Sequence, residues 1–351
     1  MENLILSFNV VAPLFLMMVL GYFLKYIKIF DQHTLDVMNK VVFKVFLPVL
    51  LFYNVYTTDL ETVFDGKLIL FAASGVIILF LLLLFFIPKI EKENPKRGVM
   101  IQGVFRSNFV IFGIPVATSV YGDGNVGTTA MLIAVIVPLF NMLAVISLEM
   151  FRDSEINLKH ILKGVITNPL IIGAFVGIVF LLIGIKLPSC IMETVEDVSK
   201  MATPLGLILL GASFSFSDVN KYLKETIFIV ITKLLVVPAI MIPLSIYLGI
   251  RGIALLTLTI IYGAPTGVST FQMAKQMDGD SDLAAQIIVF TSFFCNNNVY
   301  VDLYIKNFIA YIKSTYLYIN IYITYIHILY NKKTYINIQK KSSSYPRRLF
   351  I

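Results

Sequence analysis

The chain has 351 residues, of which 58% are hydrophobic and only 14% charged, and its mean hydropathy is +0.85. A soluble domain carries roughly 45–50% apolar and about 25% charged residues, so this chain cannot cover itself with polar surface and a soluble fold is excluded. Three histidines and two cysteines, Cys190 and Cys295, exclude a disulfide framework, and neither a metal site nor a cofactor is expected.

The net charge of +7 is local. Residues 1–292 hold 20 Lys+Arg against 20 Asp+Glu, whereas residues 293–351 hold eight basic residues against a single acid, Asp302. A basic balance confined to one end does not describe a nucleic-acid-binding surface, and no nucleic-acid partner is expected.

A bilayer core of about 30 Å takes roughly 20 apolar residues per helix. Such runs are predicted at 8–24, 38–56, 68–87, 98–121, 126–148, 164–185, 200–216, 223–248 and 252–274, with a tenth starting at Leu283. Leu68–Ile87 and Gly252–Ala274 contain no charge at all. Met1-Glu2-Asn3 lacks the basic stretch of a signal peptide, so the first span is expected to be retained. The short loops after the odd-numbered spans carry 12 Lys+Arg and the opposite loops four. By the positive-inside rule the first set is cytoplasmic, which places the N-terminus outside, in a plasma (inner) membrane.

The predicted fold is an all-α polytopic membrane protein built as a 5+5 inverted repeat. Residues 1–150 form the first five-helix repeat, 151–163 a cytoplasmic linker, 164–292 the second repeat, and 293–351 an aberrant tail. Pro48 in the second span has a counterpart in Pro204 of the seventh, and Gly113-Ile-Pro115 in the fourth has one in Gly263-Ala-Pro265 of the ninth. An odd number of spans per unit makes the second unit enter from the opposite side, the arrangement of many secondary transporters.

The tail differs in composition. Its 59 residues contain ten of the 18 tyrosines, 11 isoleucines, seven asparagines and none of the 20 glycines. It shows neither helical periodicity nor strand alternation. Two readings are open: a change of reading frame near Thr291–Cys295, which leaves the tenth helix incomplete, or a genuine tail from an AT-rich genome.

Proline inside a helix removes a hydrogen bond and clashes with the preceding turn, and within hydrocarbon the freed groups need partners in protein or a water-lined cavity. The fourth span reads Arg106-Ser-Asn108-Phe-Val-Ile-Phe-Gly113-Ile-Pro115, and the ninth Tyr262-Gly263-Ala-Pro265-Thr266-Gly-Val-Ser269-Thr270. Both predict a break at Gly–X–Pro. Two half-helices starting there aim positive N-terminal ends at one spot, where an anion is stabilised. Pro138, Pro238 and Pro243 are read as ordinary kinks. Asn108, two turns before Pro115, can donate an amide to a carboxylate; Asn141 in the fifth span is a second such donor, with helix packing as the alternative for both. Gln286 and Thr291 are expected to line the same cavity.

Charges within a span are costly and point to function. Lys40, Arg106 and Glu149 lie near cytoplasmic ends and can snorkel. Lys44 and Lys233 are harder to bring to the surface, and either can neutralise an anion or act as the coupling group. Asp278-Gly-Asp280-Ser-Asp282 begins like a calcium loop, but Leu283 and Val289 stand where glycine and glutamate are needed, so it is read as a polar turn.

The segment Arg106–Pro115 resembles the fourth-helix motif of the auxin efflux carrier family. So do Gly263–Ala274, the Pro48 segment and the Leu-Leu-Gly-Ala-Ser stretch Leu209–Ser213, and the resemblance covers roughly residues 5–292, in its prokaryotic, short-loop form. It implies a ten-helix carrier whose fourth and ninth helices cross at Pro115 and Pro265, with Asn108, Gly113 and Gly263 beside them. It further implies an organic-acid cargo: auxin in plants, malate, malonate or related carboxylates in bacteria. The expected function is secondary transport of a small organic anion, not catalysis, with the lipid bilayer and protons as further partners and a homodimer among the assemblies allowed. An intramembrane enzyme, a channel and an inactive remnant are the rivals.

Overall fold

The computed structural model describes residues 2–58, 65–122, 126–152 and 158–296, all of whose regular elements are helices. In chain order these are α1 (Glu2–Tyr26), α2 (Gln32–Val41), α3 (Leu47–Tyr56), α4 (Gly66–Ile90), α5 (Asn94–Phe105), α6 (Phe109–Tyr121), α7 (Gly127–Met150), α8 (Leu158–Thr167), α9 (Pro169–Ile183), α10 (Ser189–Ser213), α11 (Leu223–Ile231), α12 (Val237–Tyr247), α13 (Gly252–Gly263), α14 (Ser269–Gln276) and α15 (Ser281–Asn296). Residues 1–297 make one compact unit. The tail from residue 297 onward and the predicted tight turn at Asp123–Asn125 lie outside the described residues.

The helices are apolar on more faces than a soluble core requires. In α4, Leu68, Ala72, Val76, Phe80, Leu83 and Ile87 are buried, yet Leu70, Leu81, Phe85 and Phe86 are exposed on the other side. A helix apolar all round, with one face on protein and the other uncovered, is a lipid-facing helix. Gly66–Ile90, Gly127–Met150 and the continuous Leu223–Tyr247 are each long and apolar enough to cross a bilayer. The α8–α9 pair is bent by 56° at Asn168, whose side chain caps α9 by accepting from the Leu170 amide at 3.0 Å. The chain is a multi-pass integral membrane protein.

Two turns of π-helix join neighbouring elements. Val42–Phe46 links α2 to α3 just before Pro48, and Thr232–Val236 links α11 to α12 just before Pro238. A proline at position i leaves the carbonyl at i−4 without its donor, and a π turn is one way a helix absorbs the mismatch without breaking. Pro138 and Pro243 sit inside α7 and α12, which stay continuous.

Helix contacts divide the unit into a panel and a bundle. In the panel, α1 lies along α10, and α3 lies along both α9 and α10. The bundle contains α4–α7 and α11–α15, with α5 on α4 and α7, and α13 on α12 and α6. Glycine permits the closest panel crossings. A Cβ at Gly21 of α1 would run into the Ile208 carbonyl of α10, and one at Gly173 of α9 into the Pro48 backbone of α3. Small residues at such crossings let backbones approach within a bilayer, where apolar burial alone does not favour one helix pairing over another.

The polar turn Asp278–Asp282 is observed as a turn. The Gly279 amide bonds Ala274 O at 2.9 Å, and Asp280 Oδ1 accepts from the Leu283 amide at 2.9 Å, capping α15.

Replacing Gly173 by leucine should push α9 off α3. Overpacking of this kind costs about 1–3 kcal/mol, and the detergent-solubilised variant is expected to melt at a lower temperature than the parent. An unchanged melting temperature would show that the panel does not depend on this crossing.

Candidate functional site

Two helices break where they cross. Between α13 and α14 the chain leaves helical geometry at Ala264 (φ −68, ψ 156). Ala264 precedes Pro265, and the residue before proline is pushed toward extended backbone. Between α5 and α6 the break comes at Arg106 (φ −86, ψ 120) through Asn108 (φ −79, ψ 52). This corrects the sequence expectation for the fourth span: Pro115 is not the break but sits within the continuous α6, on its exposed side. A single proline removes one hydrogen bond, which a membrane helix tolerates as a kink; the α5–α6 break forms where a partner backbone replaces several.

That partner is the other break. Ser107 and Thr266 form an antiparallel bridge, and the Asn108 amide donates to Pro265 O at 2.7 Å. Thr266 Oγ1 donates to Gly103 O at 2.7 Å, supplying the donor that the Ser107 amide would have been in an unbroken helix. The Thr266 amide in turn donates to Thr291 Oγ1 of α15 at 3.2 Å. Thr266 and Thr291 therefore hold the crossing together and are not in the wall of the cavity beside it, although the sequence had put Thr266 at the substrate and Thr291 in the cavity lining. Gln286 is also elsewhere, donating to Ser215 O at 2.9 Å.

Beside the crossing is a cavity of about 60 Å³, between the bundle and the panel. The bundle contributes Arg106, Ser107, Asn108, Asn141, Ser269 and Gln272; the panel contributes Leu47, Leu50, Leu51, Asn54, Leu170 and Thr203. The first turns of α6 and α14 both border it. Their N-terminal ends add partial positive charge on the same side as Arg106.

Arg106 dominates the electrostatics. Its residue is 4% exposed, so it does not snorkel. Its guanidinium donates from one nitrogen to both Asn141 Oδ1 and Ser269 Oγ at 2.6 Å, and its other terminal nitrogen lies against Met273 Sδ. Asn141 is held by its own amide bond to Val137 O at 2.8 Å. All these partners are neutral, and Arg106 is the one charged residue in the cavity wall among the described residues. The amide nitrogens of Asn108 and Asn54 are buried without a hydrogen-bond partner among the described residues. The site is thus rich in donors and short of negative charge.

Similarity to known proteins agrees with this geometry. Residues 6–299 match the family described as membrane transport protein, that of the auxin efflux carriers. The chain belongs to the auxin efflux carrier family. It is 24% identical over 299 residues to an uncharacterized transporter of Methanocaldococcus jannaschii, covering 82% of this chain and 94% of that one. It is 23% identical over 293 residues to an uncharacterized transporter of Methanothermobacter thermautotrophicus, covering 80% and 92%.

Within this carrier the remaining candidates separate. Gly113 is buried against Phe109 and Thr129, and Gly263 ends α13 near Pro238, so both serve helix packing beside the crossing. Lys44 is exposed on its π turn, away from the cavity. Lys233 is 0% exposed on the other π turn, which packs against α5, α13 and α15 behind the crossing, and its ammonium meets no hydrogen-bond partner among the described residues. Asn54 and Gln272 carried no sequence signal. Arg106 did, as an intramembrane cation adjoining Ser107 and Asn108.

Thr266→Val should leave the Gly103 carbonyl buried and unpaired, at a cost of about 1–3 kcal/mol, and lower the melting temperature. Thr266→Ser keeps the hydroxyl and is expected to recover most of the loss. Equal melting of all three proteins would remove Thr266 from the crossing.

Proposed function

We propose that the protein is a secondary active transporter of a small organic anion, working by alternating access. The observation that carries this reading is Arg106: a buried cation beside a crossing of two broken helices, facing a cavity with no carboxylate among the described residues to balance it. Removing a cation from water is expensive unless it is paired. A cargo that brings the missing negative charge resolves that cost in the loaded state.

The architecture we propose is ten spans in two five-helix units of opposite orientation. Its support is the pairing pattern: α1 on α10 mirrors α9 on α3, and α5 against α15 mirrors α13 against α7. Motion of the bundle against the panel, carrying the Arg106 side of the cavity, is the alternating-access step in this scheme. For coupling to protons we assign Lys233, whose buried, partnerless ammonium adjoins the crossing. Lys44 is set aside because its side chain is exposed.

Counterflow in proteoliposomes tests the transport reading. The parent should exchange radiolabelled carboxylates saturably, and Arg106→Met should raise KM roughly tenfold to a hundredfold, the loss of a charge-assisted hydrogen bond. Absence of exchange by the parent, or an Arg106→Met protein that behaves as the parent does, overturns it.

The compositional change after Thr291 favours a second reading, in which the chain as given is a remnant with a damaged tenth helix. Translating all frames of the gene across codons 280–310 decides this. A second frame that continues as a glycine-containing apolar helix marks the tail as a lesion, and the transport assay then belongs to the repaired chain.

A further inference from the structure

We propose that the Arg106 cavity is built for a short-chain aliphatic monocarboxylate, and that it selects against dicarboxylates. The inference rests on the carrier reading above and names the cargo class for that same site.

The two sides of the cavity differ in chemistry. The bundle side presents the Arg106 guanidinium with the amide of Asn108, whose nitrogen has no partner among the described residues and whose residue is 8% exposed. The panel contributes Leu47, Leu50, Leu51 and Leu170, with Asn54 and Thr203 as its neutral polar residues, and Val137 and Phe140 of α7 extend the apolar surface. A carboxylate can be taken at one end by a charge-assisted bond from Arg106 and by the free amide of Asn108. With Arg106 as the only charged wall residue among those described, a second carboxylate would be buried against leucine and phenylalanine without a counter-charge, which is heavily penalised. A short alkyl tail meets that surface at no such cost.

Size limits the chain length: at roughly 10–15 Å³ for each water-sized group, a cavity of about 60 Å³ has room for a small acid only.

The test is counterflow in proteoliposomes of the full chain, with radiolabelled butyrate as the internal probe and propionate, butyrate, hexanoate, malonate and malate as external competitors. Propionate and butyrate should drive exchange at least tenfold more efficiently than malonate or malate. Leu51→Ala, which enlarges the apolar side, should shift the preferred chain length toward hexanoate, with folding checked by thermal melting. If malonate or malate, tested as labelled probes in their own right, exchange as well as butyrate or better, the monocarboxylate inference is overturned while the carrier reading stands. If no acid exchanges, both fall. A folded Leu51→Ala protein with an unaltered chain-length profile removes the panel leucines from the cargo site and overturns the inference on its own.

Discussion

Everything around the site depends on the satisfaction of backbone groups where two helices break inside an apolar medium. A bilayer core offers no water to a freed amide or carbonyl, so a broken helix persists there only if protein supplies the partners. Here each break supplies the other. The Asn108 amide bonds Pro265 O, Thr266 Oγ1 bonds Gly103 O, and Ser107 and Thr266 pair as the smallest element of antiparallel sheet. Neither interruption is stable alone in hydrocarbon. Together they form a joint in which two short helices begin at one place, and α15 braces that joint through Thr291.

The joint explains why a buried cation is tolerated. Arg106 leaves helical geometry at the break, so its side chain runs inward between α7 and α14 instead of along α5 toward the membrane surface. Asn141, Ser269 and Met273 surround it with neutral acceptors, which spread the charge without cancelling it. A carboxylate in their place would have made a closed structural ion pair with no further demand for an anion. The composition of the surrounding shell, more than the arginine itself, leaves the charge uncompensated.

The panel adds the other half of the chemistry. Its helices meet through glycine at Gly21 and Gly173, which gives them close backbone contact, and toward the joint they present Leu47, Leu50, Leu51 and Leu170 with Asn54 and Thr203. The cavity lies on this seam, with its one cation on the bundle and its leucines on the panel.

The sequence by itself determined the class of protein, the positions of the long apolar helices and the family. Those follow from local composition and from contiguous motifs, and neither depends on what a helix touches. It also located the break of the ninth span, because the residue before Pro265 is restricted by a clash within its own dipeptide. It misplaced the break of the fourth span at Pro115, since a lone proline only kinks a helix whereas the real break at Arg106–Asn108 exists by virtue of a backbone far away in sequence, that of Pro265 and Thr266. The same reason separates Arg106 from Lys44. Both are cations in apolar stretches, and only tertiary packing turned one into the cavity and left the other exposed. Asn54 joined the site through helix packing alone, which no local pattern encodes.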